Sequence, residues 1–158
     1  MLHSLATVNV MLGEFSAGMN QTFWERMHGG ATHFPIALVL VSVVFDVAGF
    51  WWRDETRRRE FRSVGFYSLI IAAAASLVAV ASGIALSKGR LLGGGLIALH
   101  HYFVWPAFGL LIGLAVWRLI VRQRASRRAE AIYLALAVVT LVCMMTAGYW
   151  GGEMLIGD

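Results

Sequence analysis

Residues 36–52 read IALVLVSVVFDVAGFWW, and only Ser42 and Asp46 interrupt an otherwise apolar run. A helix needs about 20 mostly apolar residues to cross the hydrocarbon of a bilayer. The run is continuous rather than alternating, which excludes a strand of a membrane barrel. Working outward, three further apolar runs follow at about 63–87, 96–121 and 129–150. Four spans with short connections predict an all-α fold, a transmembrane four-helix up-down bundle.

Composition agrees. The 158 residues are 59% hydrophobic and 14% charged, against about 25% charged in soluble domains. A chain this short has too little interior to hide that much apolar surface. Soluble globular, disordered, coiled-coil and disulfide-scaffold classes are excluded. Cys143, the single cysteine, has no partner within the chain.

The net charge of +4 comes from an arginine excess that is unevenly placed. Arg53, Arg57, Arg58, Arg59 and Arg62 follow span one; Arg118, Arg122, Arg124, Arg127 and Arg128 follow the core of span three. Basic connections stay in the cytoplasm. The expected location is therefore a bacterial inner membrane, multi-pass, with both termini and the glycine-rich 87–95 connection in the periplasm. No nucleic-acid motif accompanies the arginines, so no nucleic-acid partner is expected.

Residues 1–30 are less apolar and lack the features of a secretory signal. Phe15, Met19, Phe23, Trp24 and Met27, with polar residues between them, predict an outward-facing N-terminal interfacial helix, or one docked on a partner. A turn is expected at Gly29-Gly30, with the bundle occupying 31–158 and Pro35 in the first turn of span one.

Of five histidines, His28 and His33 fall at the outer mouth of span one, and His100 and His101 near the outer end of span three. Ionisable groups at membrane depth are functional by default. Imidazoles at matching depth on two helices can supply both axial ligands of a b-type haem. There is no Cys-x-x-Cys-His for covalent attachment. The expected metal ligands are His33 and His101, followed by His100 and then His28. Neighbours on a helix differ by about 100°, so His100 and His101 cannot both face one iron. The second could hold a propionate, line a quinone site or take a second metal. One haem b per chain is expected; two would need His28 to reach a second iron. A copper or zinc site, a metal-free quinone or proton-linked site, or a chlorin magnesium site would use the same residue types. Gly109 and Gly113 would let a flat macrocycle or another helix approach span three, and Trp105 would wall the pocket. Asp46, about 20 Å deeper than His33 by helical rise, is expected to pair with Arg118 or a loop arginine.

The string His28-Gly-Gly-Ala-Thr-His33-Phe34-Pro35-Ile36-Ala37-Leu38, followed by Phe45-Asp46, resembles a family of uncharacterised bacterial four-span membrane proteins. These open with His-Pro-x-x-Val-His-Phe-Pro-Ile-Ala-Leu and carry a histidine at the start of the third span, matched here by His100 or His101. The chain departs from that pattern at Gly29, where proline is usual, and in its doubled histidine. The resemblance covers roughly residues 30–150 and implies association with c-type cytochromes and a b-type haem. The function expected is a membrane cytochrome subunit carrying electrons between a periplasmic dehydrogenase or c-type cytochrome and the quinone pool, alongside other membrane subunits and lipid. The alternative is a non-redox structural or anchor subunit of a respiratory or photosynthetic complex.

Overall fold

The computed structural model describes residues 2–121 and 124–156. Four helices account for nearly all of them: α1 (Leu2–Trp51), α2 (Glu55–Leu86), α3 (Leu96–Val121) and α4 (Arg127–Ile156). Each contains a segment long and apolar enough to cross a membrane. Arg122 and the side chains of His3 and Phe15 lie outside the described residues.

Short connections make sequence neighbours antiparallel. α1 packs on α2 and α4, and α3 packs on α4 and α2, while α1 and α3 face each other across the diagonal without backbone contact. The face that α2 buries is built of small residues: Gly65, Ser68, Ala72, Ala73, Ser76, Ala79 and Ser82. Small side chains let helices approach closely where lipid removes the hydrophobic drive between them. The buried hydroxyls of Ser76 and Ser82 bond back to their own helix, to Ala73 O and Ala79 O, so neither is stranded. Val39, Leu69, Leu111, Leu114 and Leu141 fill the middle of the bundle. Leu40, Val44, Ile71, Leu77, Ile120 and Ile132 stand exposed on the outer faces, as lipid-facing residues do.

Two boundaries differ from expectation. α1 is one 50-residue helix that runs through Gly29-Gly30 and Pro35. The expected turn is absent, and the segment expected as a separate interfacial helix is the first part of α1. A glycine costs a helix about 1 kcal/mol, but a turn at that depth would free backbone groups with no water to bond them. Thr32 Oγ1 also donates to Gly29 O at 3.0 Å, back-bonding the helix there. At the other end of span one, Asp54 caps α2 by accepting from Arg57 N at 2.9 Å. Helix therefore begins at Glu55, and Arg57, Arg58, Arg59 and Arg62 lie on its first turns rather than in a loop.

Candidate functional site

The same buried stripe occurs on α1 and α3. On α1 it is His28, Thr32, Pro35, Val39, Ser42 and Asp46; on α3 it is His100, Val104, Ala107, Leu111, Leu114 and Arg118. Both advance in steps of four and three, the spacing of one helical face. Each stripe puts a histidine at one end of the bundle and an ionised group at the other, about 27 Å apart by helical rise.

At the histidine end the side chains surround a cavity. His28, His100 and His101 line it with Pro35, Ala79, Gly83, Val104, Leu111 and Met144 among others. His28 Nδ1 lies 3.1 Å from Ala79 O and 3.1 Å from Ser82 Oγ on α2. His100 Nδ1 lies 2.8 Å from Ala147 O on α4. A carbonyl only accepts, so in the neutral ring each Nδ1 carries the proton and each Nε2 keeps its lone pair. No described protein group bonds either Nε2. The two rings have centroids 6.3 Å apart and planes at 80°. His101 sits beside them, 5.7 Å from His100, and its Nδ1 is buried with no hydrogen-bond partner.

Glycine leaves room for the rings at the wall, most closely at Gly83. A Cβ at Gly83 would stand 2.8 Å from His28 Cε1, and one at Gly151 would stand 3.4 Å from His100 Cε1. Each imidazole thus rests on the bare backbone of the neighbouring helix, held by that helix's carbonyl.

The arginine-rich end is built differently. Asp46 Oδ2 accepts from Arg118 Nη1 at 2.7 Å and from Tyr133 Oη at 2.8 Å. Arg118 Nη2 donates to Arg62 O at 3.0 Å, and its guanidinium lies over the Tyr133 ring, which stacks on Trp117. Ser42 Oγ donates to Gly65 O at 2.8 Å. A Cβ at Gly65 would collide with the Asp46 carboxylate. Glu130 is flanked by Arg58 and Arg62. All four helices contribute, and each buried carboxylate faces a guanidinium. That is a clamp whose charges are spent on one another, whereas the histidine end keeps uncommitted nitrogens facing a cavity.

The expected pairing of Asp46 with Arg118 is present. The expected ligand pair His33 and His101 is not brought together: His33 is exposed and absent from the cavity lining. Five residues separate it from His28, which on an unbroken helix is about 140° of rotation. His28, ranked last in the sequence reading, takes the inward place. Trp105 lines the cavity and donates its indole N–H to Leu91 O at 2.9 Å. Gly109 and Gly113 do not line it; they border a separate outward groove with Trp117 and Tyr133, and no side chain lies within 4 Å of either Cβ position. Gly83, Ser82 and Ala147 were not anticipated. Their signal was the small-residue stripe of α2 and its counterpart on α4.

Among the described residues no three His, Cys, Asp or Glu side chains converge on one metal position. The arrangement instead offers two imidazole donors, which suits a metal that arrives with its own equatorial ligands. With metal–imidazole bonds of about 2.0 Å, two axial rings on one metal have centres roughly 6 Å apart, matching the separation of His28 and His100.

A family model described as predicted membrane protein (DUF2231) matches residues 26–158. No curated protein and no solved structure matches the chain.

Proposed function

We infer the function from the site itself, because the chain belongs to DUF2231, a family described as predicted membrane proteins. The reading is a membrane b-type cytochrome subunit with one haem b between His28 and His100. It would exchange electrons with a periplasmic dehydrogenase or c-type cytochrome on one side and with the quinone pool on the other. The carrying observation is the pair of imidazoles on diagonal helices, each with Nδ1 on a neighbouring carbonyl, Nε2 free, and 6.3 Å between centroids.

Haem iron supplies one-electron exchange between ferrous and ferric states. The chain's own residues would orient and tune it. Ala79 O and Ala147 O fix the ring planes and, by accepting from Nδ1–H, make each Nε2 a stronger donor. Gly83 gives His28 room. Val104, Phe108, Leu111 and Met144 keep water from the interior wall. The arginine-rich connections lie at the opposite end, so the positive-inside rule puts the histidine end toward the periplasm, within reach of a soluble redox partner.

The test is optical. Full-length protein purified from cells supplied with haem should show a b-type α-band in a reduced-minus-oxidised spectrum and one haem per chain by pyridine haemochrome. His28→Ala and His100→Ala should each remove it, and His33→Ala should leave it intact. Loaded wild-type protein without that band ends the reading. One observation favours the second reading, an anchor subunit of a larger complex. α1 runs for 50 residues where spanning takes about 20, leaving a helical stretch to meet a partner. Assembly and electron flow both retained in the double variant His28→Ala/His100→Ala would favour that reading.

A further inference from the structure

The cavity that holds the histidines also has a polar rim, and its charge is one-sided. Among the described residues Arg90 is the only non-histidine ionisable group that lines it, and no aspartate or glutamate does. Among the described residues no carboxylate forms an ion pair with Arg90. The backbone presents it deliberately. Lys88 and Gly89 both adopt positive φ, 54° and 78°, which turns the chain back at the end of α2. Arg90 N donates to Ser87 O at 3.1 Å, and Ser87 Oγ donates to Arg90 O at 3.0 Å. Trp105 then ties Leu91 O to α3. Arg90 is thus carried on a tethered turn at the mouth of a pocket whose inner wall is mostly apolar.

A guanidinium without a counter-ion at the edge of an apolar cavity selects an anion, and its fork geometry suits a carboxylate. We propose that Arg90 receives the carboxylate edge of the cavity's ligand. This rests on the haem reading, in which the carboxylates are the two propionates. Arg90 would hold the carboxylate edge at the 87–95 turn, while Val104, Leu111 and Met144 would meet the apolar part of the ligand. Arg90 is a positioning residue, since it would hold only the carboxylate edge of the ligand.

The test uses the full-length chain loaded with haemin or with haemin dimethyl ester, whose carboxylates are masked. The rate of haem loss to excess apomyoglobin is followed for wild type, Arg90→Gln and Arg90→Lys. Arg90→Gln removes a charge-assisted hydrogen bond at an exposed rim, so it should release haemin about tenfold faster. Arg90→Lys should recover most of the retention. Wild type loaded with the ester should release it as fast as the glutamine variant, which should show no further change. Loss of a positive charge at the cavity rim should also lower the midpoint potential of Arg90→Gln, with the α-band position unchanged because His28 and His100 are intact. Equal release of haemin by wild type and Arg90→Gln overturns the Arg90 assignment and leaves the haem reading standing. A wild-type chain that takes up neither porphyrin overturns both.

Discussion

Gly83→Ala adds a single methyl group 2.8 Å from His28 Cε1, 3.3 Å from Nδ1 and 3.6 Å from Nε2. Carbon atoms at rest lie about 3.5–4.0 Å apart, so the ring must withdraw by roughly 0.7 Å or more. Backbone cannot yield easily, because α1 and α2 meet there on small residues. The imidazole is the end of a side chain and moves first. Its hydrogen bond to Ala79 O starts at 3.1 Å and lies along the same wall, so the retreat stretches it past bonding distance. Overpacking costs about 1–3 kcal/mol, and the swing of the ring keeps the loss of fold stability toward the lower bound. The effect on ligation should be far larger, since Nε2 loses both its position and its orienting partner. The assay is haem per chain by pyridine haemochrome, beside thermal unfolding in detergent. Gly83→Ala should fold, unfold a few degrees lower, and carry less than half the haem of wild type. Gly113→Ala is the matched control, because its added methyl meets nothing within 4 Å, and it should keep full haem. Full haem load with an unchanged spectrum in Gly83→Ala would refute the assignment of His28 as a ligand.

At the arginine-rich end, Arg118→Met leaves the Asp46 carboxylate buried against Tyr133 and Ser42 alone and should cost about 3–5 kcal/mol. Adding Asp46→Asn should return part of that loss, so the two substitutions together fall short of additivity by at least about 1 kcal/mol; additive losses in detergent unfolding would mean that the pair does not couple. Orientation is checked with an impermeant maleimide on sealed cells, using Leu92→Cys and Ser126→Cys in a Cys143→Ala background. Leu92→Cys should label at once and Ser126→Cys only after permeabilisation, and the opposite pattern would invert the topology.

Span number, the two basic connections, the Asp46–Arg118 pair and the grouping of histidines at one end were legible because each depends on composition at a given depth. Which histidine faces inward was not, because that depends on helical phase, and phase is only as good as the assumed continuity of the helix. A turn at Gly29-Gly30 would have uncoupled His28 from Asp46 and left His33 as the first residue with a defined direction. With α1 unbroken, counting back from Asp46 through Ser42, Val39, Pro35 and Thr32 arrives at His28. The same count from Arg118 arrives at His100 rather than His101. Gly109 and Gly113 misled for a related reason: they share one face with each other, but it is not the face that carries His100. The Gly83 contact and the return of Arg90 over the cavity depend on helix neighbours and turn geometry that no local pattern encodes.

The two ends of the bundle are connected by arithmetic. Asp46 lies 72 residues before Arg118, and His28 lies the same distance before His100. Eighteen residues separate the members on each helix, a whole number of turns at about 3.6 residues per turn. α1 and α3 share no backbone contact, so their relative height is set through α2 and α4 and by side chains reaching across the diagonal. The buried ion pair, 2.7 Å long and closed over by Tyr133, does this at one end. Because both helices then advance by the same number of turns, the two imidazoles arrive level at the other end. A clamp that looks purely structural therefore also helps to level the two histidines some 27 Å away by helical rise. The dry middle of Val39, Leu69, Leu111 and Leu114 carries that register between them, because packed apolar side chains resist sliding.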